Sequence, residues 1–293
     1  MTRVLITGAN SFVGANFCKY SHFESIDEVS LLDKRPEDIN YGNYDVVLHL
    51  AAIVHQSHKI GEEEYFRVNR DLCLEVARHA KKSGIRQFVF LSTLKVYGGF
   101  INGSELRNEN SECFPDDAYG KSKYAAEKEL RKLEDKNFIV SIIRTPLVYG
   151  EGVKANMMSL IKLVDLLPVL PFDNIENRRN FTYAENLIGF IDKVIDKRAS
   201  GVFIAMDKNA HSTTEIINYI SESMGKKRLL VKLPGIILRL FYFFVPDKLD
   251  KLLGSFEFEN NNTRQQLDYQ PSITTEEGIK RTVSFYLENK KQR

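Results

Sequence analysis

Arg3 to Thr7 is a short run of β-branched residues and leucine, and Gly8-Ala9-Asn10-Ser11-Phe12-Val13-Gly14 follows it at once, leading into a helical pattern through Cys18 and Tyr20. Strand, glycine turn and helix in that order form the context a dinucleotide fingerprint requires. Gly8 permits the tight turn, and Gly14 lets the helix lie close to the strand, so that the helix N-terminus faces a pyrophosphate. Ser11 stands where the middle glycine of the pattern is expected. A serine there demands a local backbone adjustment or a hydroxyl hydrogen bond to the phosphate.

A second strand is expected over Glu28 to Leu32, ending in Asp33-Lys34-Arg35. A carboxylate at that point accepts hydrogen bonds from the adenine-ribose hydroxyls and repels a 2′-phosphate, which favours NAD. Lys34 and Arg35 would neutralise that phosphate, so NADP stays open. Asp45 to Ala52 is a continuous apolar run suited to a strand buried on both faces. His49, His55 and His58 have no acidic partner at ligand spacing, and no metal site is expected from them. Glu62 to Lys82 reads as a helix with Leu72, Val76 and Ala80 on one stripe, ended by Ser83-Gly84. Gln87 to Thr93 and Phe138 to Arg144 are further strands, and ligands of open parallel sheets bind at the carboxyl ends of such strands.

Tyr119 and Lys123 stand four residues apart at the head of the helix that follows Asp117, so both project from one face. A free tyrosine has a pKa of about 10, and a neighbouring ammonium favours the phenolate. The pair is a candidate proton-transfer device; an ordinary amphipathic pair is the alternative when it is taken alone.

The order of elements predicts an α/β fold: a Rossmann-type doubly wound parallel sheet over residues 1–150, with a smaller C-terminal α/β substrate lobe over 151–293 that is discontinuous and returns some segments to the sheet. A net charge of +2 and 27% charged residues give no reason to expect a nucleic-acid partner. Cys18, Cys73 and Cys113 lack metal-like spacing and read as reduced thiols of a cytoplasmic protein. Thr2-Arg3 runs straight into a strand and leaves no room for a signal peptide. The longest apolar run, Leu233 to Val245, is about 13 residues and too short to span a bilayer. It carries Phe241 to Phe244 on all sides, so it reads either as a buried or dimer-facing helix or as a segment pressed onto a membrane.

Taken together, TGANSFVG, Asp33, HLAA, FVFLSTLKVYG, YGKSK and IIRTPLVYGEG resemble the extended short-chain dehydrogenase/reductases, in particular the nucleotide-sugar epimerases, dehydratases and reductases. The resemblance extends to NRRNFTYAENL and the ending LDYQPSITTEEGI. It implies Tyr119 as the acid/base, Lys123 on the nicotinamide ribose, and Thr93 as the hydroxyl that orients the same sugar oxygen. It further implies Gly8, Asn10, Ser11, Phe12, Val13 and Gly14 on the pyrophosphate, Asp33 with Lys34 at the adenine ribose, Leu50, Ala51 and Ala52 beside the ribose and nicotinamide, and Asn69 as a brace. Asn156 and Arg179 fall where members hold the diphosphate of the sugar nucleotide; an arginine grips two phosphate oxygens at once. A homodimer is the family's common assembly.

The family's 4,6-dehydratases carry Asp-Glu directly after the threonine, and here those positions are Leu94 and Lys95. Dehydration is therefore not expected, and Lys95 becomes a substrate-side residue. Hydride transfer at C4 remains, as a 4-ketoreductase of a UDP-sugar for surface polysaccharides or as a 4-epimerase with retained NAD. A catalytically silent dinucleotide sensor or scaffold would be expected to lack Tyr119 or Lys123.

Overall fold

The computed structural model describes residues 1–54, 60–99, 106–232 and 253–291. His55, His58 and the run Leu233 to Val245 lie outside the described residues. The principal sheet has six parallel strands in the order β2–β1–β3–β4–β5–β9. These are β1 (Arg3–Thr7), β2 (Ser25–Val29), β3 (Val46–His49), β4 (Gln87–Thr93), β5 (Ile139–Thr145) and β9 (Gly201–Ile204). The chain runs from β1 out to β2 and then returns past β1 to β3. That reversal puts a crevice at the carboxyl ends of β1 and β3, where open α/β sheets bind ligands.

The unbroken apolar runs are explained by helices on both faces. Val4, Ile6, Leu48, Val89 and Ile143 face α1 (Phe12–Tyr20) and α6 (Ala184–Asp196), packing on Phe17, Leu187, Ile191 and Val194. Their neighbours Leu5, Val47, Phe88 and Phe90 face the other way, onto Val76, Ala77, Ala80, Ala126 and Leu130. Those residues come from α3 (Cys73–Lys82) and α4 (Ala118–Leu133).

The expected helix over Glu62 to Lys82 is present but not uniform: α2 (Glu62–Phe66) passes through a π-helical segment, Arg67–Leu72, into α3. The second strand lies earlier than expected. Arg3 to Thr7 pair in register with Ser25 to Val29, and the amides of Gly8 and Ala9 then both bond to the Val29 carbonyl. The ladder ends there, so Leu31 and Leu32 form a turn in which Leu32 is 98% exposed.

Residues beyond 150 serve both units. β9 completes the main sheet beside β5 and α6 covers it. The second unit gathers two small parallel pairs, β6 (Leu147–Tyr149) with β8 (Phe181–Tyr183) and β7 (Val169–Leu170) with β10 (Leu229–Leu230). Around them lie α5 (Ala155–Leu166), α7 (Thr213–Ser223) and α9 (Thr275–Lys291), whereas α8 (Asn261–Leu267) packs Leu267 into the core of the main sheet. Their shared core includes Tyr149, Tyr183, Ile161, Ile217 and Val283. Among the described residues, no helix is long and apolar enough to cross a membrane.

Candidate active site

The glycine turn closes tightly on the crevice. Gly8 has φ +108, and a Cβ on it would stand 2.6 Å from the Ala51 amide nitrogen. Leu50 and Ala51 are held there because both donate their N–H to the Thr7 carbonyl, at 2.8 and 2.9 Å. Asn10 takes the left-handed conformation at φ 60. Ser11 resolves the missing middle glycine by capping α1: its hydroxyl accepts from the Gly14 amide at 3.0 Å. The amides of Phe12 and Val13, with no intrahelical acceptor, head the helix, whose first turn carries no acidic residue. This donor set fits a dinucleotide pyrophosphate.

Asp33, expected at the adenine ribose, follows β2 rather than lying in it. It sits exposed in the bend beyond β2, beside exposed Lys34, because β2 ends four residues earlier. A carboxylate that does stand at the head of α1 is Glu28, whose Oε1 would lie 2.7 Å from a Cβ on Gly14. No motif marks it in advance, because Glu28 reads simply as the start of the expected strand.

Across the crevice, Thr93 closes β4 and Tyr119 opens α4, and the two side chains are hydrogen-bonded. Asp117 caps α4 by accepting from the Gly120 amide at 2.7 Å. Burial, and then the Asp117 charge, push the Tyr119 hydroxyl well above its ordinary pKa of 10, against the lowering effect of Thr93. The lowering expected from Lys123 is therefore not realised in the protein alone. Lys123 is 2% exposed, and its ammonium lies over the Phe90 ring, 3.9 Å from the centroid. Burial pulls its pKa down to about 8, opposed by Cys73 and Glu127.

Asn69 lies in the π-helical segment and is fully buried. Its amide bonds to both the N–H and the carbonyl of Ile53, at 2.8 and 3.0 Å, and donates to the Ser122 hydroxyl at 3.0 Å. It thus ties the segment after β3 to the residue adjoining Lys123. π-segments recur at functional sites because they re-aim one side chain out of helical register. Ser122 was not singled out from the sequence; it passes the link on by donating to the Tyr119 carbonyl.

Lys95 is not free in the cleft: its ammonium is bonded to the Asp117 carboxylate. Behind the site, Glu127 accepts from Ser92 and from Nε and Nη2 of Arg144, while Arg144 Nη1 donates to the Tyr97 hydroxyl at 2.6 Å. This buried network locks α4 to β4 and β5.

In the second lobe, Arg179 exchanges backbone hydrogen bonds with His211, and burial lowers its pKa to about 10. Asn156 lies exposed in the first turn of α5. His49 bonds through Nδ1 to Thr7 at 2.8 Å, and burial lowers its pKa to about 3, so it is a neutral core histidine. Among the described residues, one surface group, Glu37, Glu75 and His79, brings three ligand-type atoms together. Arg35 already bonds to Glu37 there, at 3.0 Å.

A doubly wound sheet with a glycine turn at its switch point and a Thr–Tyr–Lys set at the next strand defines a nicotinamide-dependent short-chain oxidoreductase. Residues 4–206 match the model of the NAD dependent epimerase/dehydratase family, and the chain belongs to it. Membership implies a nicotinamide dinucleotide as cofactor. The chain is 32% identical to a UDP-glucose 4-epimerase of Vibrio cholerae, over 97% of this chain and 95% of that protein. It is 27% identical to an N-acetyl-alpha-D-glucosaminyl-diphospho-ditrans,octacis-undecaprenol 4-epimerase of Escherichia coli O157:H7, over 79% and 75%. Among solved structures, a dTDP-4-dehydrorhamnose reductase of Bacillus anthracis in complex with NADP superposes with a TM-score of 0.78 at 22% identity, covering 98% of this chain and 99% of that one.

Proposed function

We propose that the protein is an NAD(P)-dependent 4-ketoreductase of a nucleotide-activated hexose or N-acetylhexosamine, with UDP as the nucleotide. The observation that carries this reading is the hydrogen-bonded Thr93–Tyr119 pair one helical turn from buried Lys123, with Leu94 and Lys95 where a dehydratase needs an acid and a base. The bound dinucleotide supplies the hydride. Tyr119 gives its proton to the C4 oxygen as that oxygen gains the electron pair of the carbonyl bond, and Thr93 holds the same oxygen in line. Donors already aimed at the developing oxyanion stabilise it without reorganisation. Lys123 holds the nicotinamide ribose, and Arg179, with Asn156 at the lobe's edge, holds the sugar diphosphate. Residues 1–150 form the dinucleotide unit and 151–293 mainly the substrate lobe. The chain acts as a homodimer.

A second reading, a 4-epimerase that retains NAD, is favoured by the name of the Vibrio cholerae relative, which matches nearly the whole chain. The relative from Escherichia coli extends that reading to a sugar on a lipid diphosphate. The test is turnover of UDP-4-keto-6-deoxy-N-acetylglucosamine with NADH or NADPH. Reductase activity oxidises one cofactor per sugar reduced. Interconversion of UDP-hexoses with no cofactor consumed establishes the epimerase instead. If neither activity is found while the dinucleotide still binds, the silent dinucleotide sensor or scaffold returns; unchanged turnover in Tyr119→Phe removes Tyr119 from the acid/base role.

A further inference from the structure

Beyond β2 the chain lays a single short helical turn, Pro36–Asp38, against α3. Buried Pro36 anchors the turn, and Ile39 and Tyr41 after it enter the core with Val76 and Ala80 of that helix. Glu75 and His79 stand four residues apart on α3, so they share one face. Glu37 reaches the same place from the turn, and one ligand-type atom from each of the three lies within 4.8 Å of the other two. Donors that share one ion at about 2.0–2.2 Å each stand up to about 4 Å apart, so small side-chain rotations bring this set onto a single ion. Two cations stand nearby. Arg35 bonds to Glu37 and to Asp38, both at 3.0 Å, with its side chain 73% exposed, and exposed Lys82 follows His79 by three residues. Exposed pairs of that kind are weak, and a divalent ion competes with them. Tyr41 supplies the second observation. It is 2% exposed, and its hydroxyl is buried with no hydrogen-bond partner among the described residues. The charges acting on that hydroxyl, after burial itself, are Glu75 and then Glu37, the two carboxylates of the cluster. A buried hydroxyl left unpaired is costly, and a group held in place by an ion accounts for it.

We propose that Glu37, Glu75 and His79 hold a divalent transition-metal ion of the zinc class, with the Tyr41 hydroxyl donating to one of the ligating carboxylates. One imidazole and two carboxylates are a set that zinc accepts, whereas magnesium and calcium take oxygen ligands. Ligating carboxylates are themselves hydrogen-bonded, and Tyr41 supplies that bond from the core. The ion clips the turn after β2 to α3. The inference is independent of which C4 reaction the site performs.

Isothermal titration of zinc chloride into the full chain, first stripped with EDTA, tests it. The wild type binds one equivalent, and excess zinc raises its melting temperature because the folded state alone presents the three ligands together. Magnesium chloride gives neither effect. Glu75→Gln/His79→Ala loses the saturable heat and the rise in melting temperature, while far-UV circular dichroism and dinucleotide binding stay as in the wild type. Tyr41→Phe keeps all three ligands and binds zinc about 10-fold more weakly. Glu37→Gln, placed on the turn and outside α3, weakens binding at least as much, so the test does not hang on a change to the helix. A wild type without saturable zinc binding overturns the proposal. So does zinc affinity unchanged in Glu75→Gln/His79→Ala, in Glu37→Gln or in Tyr41→Phe.

Discussion

Lys95, two residues past the end of β4, is bonded to Asp117, the residue that caps the helix bearing Tyr119. Asp117 acts on Tyr119 as a nearby negative charge, and Lys95 offsets it. Tyr119 is also faced by Thr93 from β4, Tyr65 from α2 and Lys123 one turn along α4. Replacing Lys95 by Met exposes the carboxylate's charge, so the limb of the pH–rate profile governed by Tyr119 moves to higher pH. Both partners are about one-third exposed, so solvent screening holds the move to about one unit. Lys95→Met/Asp117→Asn returns the limb toward wild type. An unmoved limb in Lys95→Met assigns Lys95 to the substrate alone.

Lys123 carries the second pH dependence. Its folded pKa of about 8 lies below the ordinary lysine value, so its ammonium is present below that pH and lost above it. Dinucleotide affinity therefore falls as pH rises through about 8, and titrations with Lys123→Met are flat over the same range. Stability runs the opposite way. The buried charge costs stability below about 8, and the cost is relieved as pH rises from there toward the unfolded value near 10.5.

Gly8→Ala is expected to abolish dinucleotide binding while leaving the sheet formed. The added Cβ meets the Ala51 backbone at 2.6 Å, in a left-handed conformation that L side chains rarely adopt. Isothermal titration and far-UV circular dichroism on the same sample separate the two effects.

Glu127→Gln tests the network behind the site. Arg144 is buried, and Glu127 holds its pKa high despite that burial. Removing one partner of a buried pair costs about 3–5 kcal/mol. Urea unfolding will show a loss of that order in Glu127→Gln, with a smaller loss when both residues become apolar.

Much of this was legible locally. Tyr119 and Lys123 lie four residues apart on one helix, Thr93 was singled out through the family resemblance at the end of an apolar strand, and the strand, glycine turn and helix reading of residues 3 to 20 matches β1 and α1. Two kinds of information were not. The edge of the sheet misled because Leu31 and Leu32 are more apolar than Asp27 and Glu28; yet β2 is an edge strand that tolerates acids, and its register follows from where β1 stops. Pairings between distant residues were invisible as well. Neither Lys95 with Asp117 nor Asn69 with Ile53 and Ser122 leaves a periodic or motif signal, since each depends on how β3, β4 and α4 are brought together.

The most direct measurement is reduction of UDP-4-keto-6-deoxy-N-acetylglucosamine with NAD(P)H carrying deuterium at the transferable position of the nicotinamide, followed by NMR of the sugar. The expected product carries deuterium at C4, formed in step with cofactor oxidation, and Tyr119→Phe slows its appearance by two or more orders of magnitude, in keeping with loss of a general acid. A product without label at C4, or the same rate from Tyr119→Phe, would contradict the assignment.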